Sequence, residues 1–152
     1  MIKIKIIKKA KELELAEVNS LISQMSLTKV SPKPMTLPEY RGMLNQKHFF
    51  FIAAAGKVSG NQEKILGILS VYFTRIPIGL IAWAEDLLVD AAYRKWGVGR
   101  LLMEAAIKLA RRKKSRHLNL RTNPKRIEAN KLYQALGFER MESNFYRINM
   151  FK

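Results

Sequence analysis

The chain has no cysteine. That excludes disulfides, thiolate metal sites and a cysteine nucleophile together. Histidine is nearly as scarce, with only His48 and His117, so a histidine-based metal centre is not expected, and both residues border strand-like runs where a structural role is the simpler account. Acid is in short supply: 12 Asp and Glu stand against 28 Lys and Arg, a formal net charge of +16. A field of that sign favours anionic ligands and opposes a polycationic one. The excess runs through both halves of the chain and is not a basic tail. A G-x-S-x-G nucleophile elbow is missing. No apolar run approaches the roughly 20 residues of a membrane span. Residues 1–9 alternate apolar and basic side chains, a strand period and not the apolar block of a secretory signal. The expectation is a cytoplasmic protein with no metal and no membrane partner.

What is present describes one globular domain over residues 1–152. At 48% hydrophobic residues, a chain of this length buries roughly 70% of its unfolded surface. Residues 2–8 read as a strand. Residues 11–25 read as an amphipathic helix with Leu13, Val18, Leu21, Ile22 and Met25 on its apolar stripe. Residues 28–38 hold Pro32, Pro34 and Pro38 and read as an irregular loop, with a short helix over 37–45. Strands follow over 48–55 and 65–74, joined by a polar, glycine-bearing turn, and a third over 80–89. A helix over 99–114, a strand over 117–121, a helix over 127–136 closed by Gly137, and a strand over 145–150 complete the chain. Tight turns imply antiparallel pairing early; the helical crossover after residue 89 implies a parallel pair late. The fold class expected is mixed α/β, a sheet of about six to seven strands flanked by about four helices.

The densest signal is Arg94-Lys95-Trp96-Gly97-Val98-Gly99-Arg100, between the apolar run Leu87-Leu88-Val89 and the long helix. The first N–H groups of a helix lack intrahelical partners and carry the positive end of its dipole. Gly97 and Gly99 keep side chains out of that space, and Arg94 and Arg100 bracket it with positive charge. The turn is an anion cradle in prospect. A dinucleotide-binding loop fits poorly, because Leu102 stands where a third glycine is needed.

The spacing R-x-x-G-x-G resembles the pyrophosphate loop of the GNAT superfamily of N-acetyltransferases. A second stretch, Arg126 to Phe138, resembles the same superfamily through A-x-x-x-Y-x-x-x-G-F, matched at Ala129, Tyr133, Gly137 and Phe138. Residues 123–147 are similar to a bacterial subgroup of it. The resemblance implies a GNAT-like fold that binds acetyl-CoA and acetylates an amine acceptor by direct transfer, and it allows a homodimer. It implies that Leu87, Leu88 and Val89 offer backbone amides to pantetheine where their strand splays from the next. It implies that Arg94, Lys95, Trp96, Gly97, Val98, Gly99 and Arg100 hold the pyrophosphate. It further implies that Asn123 and Arg126 lie near the cofactor, in the region where many members carry an asparagine seven residues before the tyrosine; here that position is Arg126. Tyr133 then protonates the leaving thiolate. A phenol of pKa near 10 keeps its proton at neutral pH, which suits that task.

Glu85-Asp86 precede the apolar run. Strand alternation predicts that their side chains point to opposite faces, one toward a cleft. Their context, after Tyr72-Phe73-Thr74, resembles polyamine acetyltransferases, which implies that Glu85 collects the amine proton through water; an ion pair with one of the many cations is the competing account. Lys108, Arg111, Arg112, Lys113, Lys114 and Arg116 form a basic run at a helix end. Cations there complement the dipole. A basic nucleic-acid-binding module on the same fold is the alternative reading.

Overall fold

A computed structural model describes residues 1–25 and 33–150. They form two compact units, Met1–Arg121 and Thr122–Lys152. The first contains β1 (Ile2–Ile7), α1 (Glu12–Ile22), α2 (Leu37–Leu44), β2 (Phe49–Lys57), β3 (Glu63–Ile76), β4 (Gly79–Val89), α3 (Val98–Arg112) and β5 (Leu118–Leu120). The second contains α4 (Ile127–Ala135).

The five strands lie in chain order, β1-β2-β3-β4-β5. The first three pairings are antiparallel and β4 pairs β5 in parallel, across the α3 crossover. The mixed sheet expected from the turn and crossover lengths is therefore present, with five strands among the described residues. The strand expected over 145–150 is absent. Its apolar residues Phe145, Tyr146, Ile148 and Met150 are exposed, Tyr146 at 84%. Alternation says which side chains would share a face, but a strand exists only where a neighbour takes up its backbone groups. Of the proline loop, residues 26–32 lie outside the described residues; Pro38 falls in the first turn of α2, where its missing N–H is not needed.

β2 and β3 are the centre of the sheet, and both read as nearly continuous buried runs. One face is covered by α3, which buries Val98, Leu102, Met103, Ala106, Leu109 and Ala110. Each such large side chain contributes roughly 1.5–3 kcal/mol. The other face carries α1 and α2, where Leu15, Val18, Leu21 and Tyr40 meet Phe51 and Ile68. Leu13, expected on the α1 stripe, is 72% exposed. Leu15, Val18, Leu21 and Ile22 keep the helical period; Leu13 does not share their face.

Three polar contacts order α1 and α2. Tyr40 is fully buried and its hydroxyl donates to Glu14 Oε1 at 2.9 Å. Burial, reinforced by that hydrogen bond and the nearby carboxylate, pushes the phenol well above its usual range. The Asn19 amide brackets the Met35 backbone, donating to its carbonyl and accepting from its N–H, both at 2.9 Å. Thr36 and Glu39 form a reciprocal capping box at the start of α2.

α3 sits so close to β3 that only glycine fits beneath it. A Cβ on Gly67 would meet the Leu88 carbonyl oxygen at 2.9 Å, Val98 Cγ1 at 3.0 Å and Leu102 Cδ1 at 3.1 Å. The carbonyl is backbone and cannot rotate away. Gly67→Ala should therefore destabilise the protein by about 1–3 kcal/mol, the range for overpacking a tight core. Urea unfolding of the variant against the parent measures it, and an unchanged midpoint would show that α3 has room to shift.

Candidate active site

The site begins with an irregularity in β4. Ser70 pairs with Glu85 and Ile68 with Leu88, so Leu69 alone faces both Asp86 and Leu87. This is a β-bulge: one extra residue on β4 disrupts the ladder. Asp86 absorbs it with a left-handed backbone, φ 55°. For a residue other than glycine this conformation costs roughly 1–2 kcal/mol, and aspartate is among the side chains that tolerate it.

Two features mark this segment. First, Glu85 and Asp86 do not take opposite faces as simple alternation predicts. Glu85 shares the face of its partner Ser70. Ser70 and Asp86 both line a cavity under α1 and α2. Second, the bulged part of β4 runs past the end of β5. Their parallel pairing covers Ala82↔Leu118, Trp83↔Asn119 and Ala84↔Leu120 and stops there. From Glu85 to Val89 no strand among the described residues pairs with the β5 side of β4. On that side the backbone of Leu87, Leu88 and Val89 has no strand partner among the described residues.

Glu85 is held by Arg121 Nη2 at 2.9 Å, and the same guanidinium lies 5.2 Å from the Trp83 ring centre. The ion-pair account of Glu85 is therefore realised. Asp86 is exposed at the surface yet has apolar neighbours in the cavity. Burial against them, with the charge of Glu85 beside it, pushes its carboxyl above the usual range. Tyr72 is raised too, first by burial and then by the charge of Glu85, with Arg121 opposing.

The turn from β4 into α3 is organised by Asp90, a residue the sequence reading passed over. Asp90 is buried. Its Oδ1 accepts from Ala92 N–H at 3.0 Å, its Oδ2 pairs with Lys64 Nζ at 2.8 Å, and its own N–H donates to the Leu66 carbonyl at 2.9 Å. An aspartate directly after an apolar strand and before a turn is the signal that could have revealed it. Beyond it, Lys95 and Gly97 are left-handed at φ 66° and 80°. Gly97 is the N-cap of α3 and offers no side-chain cap, and a Cβ there would meet nothing within 4 Å. The first intrahelical bond runs from Leu101 N–H to the Gly97 carbonyl at 3.0 Å. The N–H groups of Val98, Gly99 and Arg100 precede it and face an open approach, with no acid in the first turn. Arg94 and Arg100 are exposed beside them; Arg94 Nε reaches the Val89 carbonyl at 3.4 Å and Arg100 pairs with Glu104 at 3.4 Å. Trp96 is 66% exposed and meets Tyr93 edge-on at 5.6 Å.

In the second unit the A-x-x-x-Y-x-x-x-G-F pattern acquires a physical meaning. Gly137 is left-handed at φ 87°. Its N–H donates to the Gln134 carbonyl and that of Phe138 to the Tyr133 carbonyl, both at 3.0 Å. This is a Schellman cap, completed by the apolar contact of Phe138 with Tyr133 at 6.0 Å between ring centres. The motif therefore ends α4 and clamps the tyrosine ring. Burial raises the Tyr133 phenol above its usual value, and Arg126 partly opposes it. Asn123 makes a local turn, accepting from Lys125 N–H at 2.9 Å. Asn130, overlooked in the sequence, donates to the carbonyls of Asn123 and Arg126 at 3.1 and 2.8 Å and fixes the start of α4.

The basic run is partly structural. Lys113 Nζ lies 4.7 Å from the Phe50 ring centre, and Arg116 Nη1 donates to the Ile78 carbonyl at 2.7 Å. Among the described residues no helix is long and apolar enough to cross a membrane.

Residues 46–140 match the family model for the acetyltransferase (GNAT) domain, and the chain belongs to that family of acetyltransferases. Comparison with curated proteins gives no match. Among solved structures it is similar to a transcriptional regulator from Bacillus halodurans, at TM-score 0.79 and 23% identity over 98% of this chain and 100% of that one. It is similar to an aminoglycoside acetyltransferase from an uncultured soil metagenomic sample, at TM-score 0.79 and 20% identity over 97% and 96%. It is also similar to the enzyme AAC(6')-Iy in complex with the bisubstrate analogue CoA-S-monomethyl-acetylneamine, at TM-score 0.75 and 20% identity over 98% and 99%. These likenesses establish the fold.

Asp90 links the site to pH. Burial alone would raise its carboxyl, but the hydrogen bonds from Lys64 and from the Ala92 N–H outweigh burial and hold it below the usual range. A carboxyl depressed on folding contributes stability that is full above its unfolded value of about 3.9 and is lost as pH falls through the folded one. Asp90→Asn should cost about 1.5–3 kcal/mol at pH 7, the range for a hydrogen bond to a charged group. It should also flatten the decline in stability below pH 4. Thermal unfolding of both proteins from pH 7 to pH 3 tests the pair of effects; parallel pH profiles would remove Asp90 as the source.

Proposed function

We propose that this protein is an acetyl-CoA-dependent N-acetyltransferase acting on a primary amine. The observation that carries the reading is the conjunction, in one strand–turn–helix, of a bulged β4 that runs past the end of β5 and an uncapped α3 N-terminus opening onto free space. An uncapped helix start with a left-handed glycine suits a pyrophosphate, because N–H groups and dipole both point at the anion. The N–H groups of Val98, Gly99 and Arg100 would hold the pyrophosphate, with Arg94, Lys95 and Arg100 adding charge and Trp96 and Gly97 shaping the turn. The backbone of Leu87, Leu88 and Val89 would hold the pantetheine arm as a surrogate strand.

Acetyl-CoA supplies the acetyl group as a thioester: a C–N bond forms as the C–S bond breaks, CoA leaves as the thiol and the amine gives up a proton. The chain's own part is to orient, to donate one proton and to accept another. A backbone amide of Leu87, Leu88 or Val89 polarises the carbonyl. Tyr133 is the donor, its phenol kept protonated by burial. Glu85, oriented by Arg121, accepts the amine proton through water, with Asp86 beside it. Asn123 and Arg126 shape the approach to Tyr133 by ordering the start of α4.

Two measurements test this. Gly99→Glu places a carboxylate in the cradle and should weaken acetyl-CoA binding at least tenfold in calorimetry, by exclusion and repulsion. Unchanged affinity in a folded variant would sink the assignment. Tyr133→Phe keeps the ring and its contact with Phe138 while deleting the hydroxyl. It should lower kcat by roughly 10²–10⁴-fold and leave acetyl-CoA affinity intact. Parental turnover, with chemistry limiting, would take the proton donor elsewhere.

A further inference from the structure

The cavity beneath α1 and α2 has a composition that selects among amines. It lies within the first unit and encloses about 130 Å³. Its walls are apolar and rich in methionine: Met25, Met35 and Met43 face Phe51. Methionine is flexible and polarisable and makes favourable contacts with aromatic rings. The polar members sit on two neighbouring strands, Ser70 on β3 and Asp86 at the β4 bulge. Asp86 is exposed, so the cavity reaches the surface at its carboxylate. Met35 is held in place by the two Asn19 hydrogen bonds, so this part of the wall is built and not a side-chain accident.

We infer that the acceptor is a primary monoamine with a single ring or a short alkyl body, its nitrogen at Asp86 and Ser70 and its apolar part among Met25, Met35, Met43 and Phe51. The inference rests on the acetyltransferase reading for the reaction, and on the cavity alone for the ligand. The volume admits one ring: an apolar cavity of roughly 150 Å³ accommodates benzene, and this one is of that order. A multi-ring amino sugar does not fit the methionine wall, whose groups cannot replace the hydrogen bonds its hydroxyls lose on leaving water. Charge decides the number of amines. Among the described residues Asp86 is the only carboxylate lining the cavity, and the chain's formal net charge of +16 opposes any ligand bringing further cations. A polyamine or an aminoglycoside would have to leave its remaining ammonium groups against that field.

The test separates ligand from reaction. Binding of benzylamine, spermidine and kanamycin to the whole protein is followed by ligand-observed NMR, and thiol release from acetyl-CoA is followed with each amine. Benzylamine should bind, and its kcat/KM should exceed that of spermidine and kanamycin at least tenfold. Met43→Trp fills the wall and should reduce benzylamine binding at least tenfold while acetyl-CoA affinity is unchanged. Met43→Ala enlarges the wall and should shift the preference toward 1-naphthylmethylamine, which guards against a tryptophan variant that folds badly. Benzylamine that fails to bind, binds both variants as it binds the parent, or is matched by spermidine or kanamycin overturns the inference. Benzylamine that binds as expected but releases no thiol, in a protein that also ignores acetyl-CoA, supports the cavity assignment and removes the acetyl-transfer reading instead.

Discussion

The bulge in β4 is the constraint on which the rest of the site depends. One extra residue opposite Leu69 forces Asp86 into a left-handed backbone. The pleat changes phase there, just past the last β5 pairing at Ala84. A regular β4 would send Asp86 to the α3 face, away from the methionine wall. The local backbone cost is modest, roughly 1–2 kcal/mol, and the buried run of the adjacent β3 readily sustains it.

The bulge keeps its position because both ends of its segment are anchored. Upstream, β3 and β4 stay in register to the tight turn that pairs Ile76 with Gly79. Downstream, Asp90 ties the end of β4 to β3 through the Leu66 carbonyl and Lys64, and starts the turn through Ala92. α3 then packs Val98 and Leu102 over Gly67 with no space to spare. The open start of α3 is thus held at a set height above the sheet edge. Gly97 leaves the approach clear because its left-handed backbone suits glycine and the space beside it is empty.

The electrostatics divide in the same way. Cations dominate the chain, yet several have local structural partners: Arg121 with Glu85 and Trp83, Lys64 with Asp90, Lys113 with Phe50. The positive excess that remains is broad and long-ranged, suited to drawing in an anion. The few carboxylates near β4 are used singly. One is paired, one caps a turn, and one faces the cavity.

By itself, the sequence determined the order and type of nine of the elements, the antiparallel-to-parallel change across the crossover helix, and the loop between Arg94 and Arg100, because periodicity, turn residues and loop length are local properties of the chain. It also marked Tyr133, Gly137 and Phe138, although their shared role as a helix cap became visible only through hydrogen bonds. The tertiary structure alone decided four other things: the facing of Glu85 and Asp86, the Arg121 partner of Glu85, the methionine wall, and the absence of a strand over 145–150. Each depends on residues distant in sequence. A bulge exists only relative to the register of the neighbouring strand, an ion pair needs two strands side by side, and a cavity is what remains after two helices and a sheet have packed. Alternation alone does not make a strand, because the ladder's second half lies outside the segment's own residues.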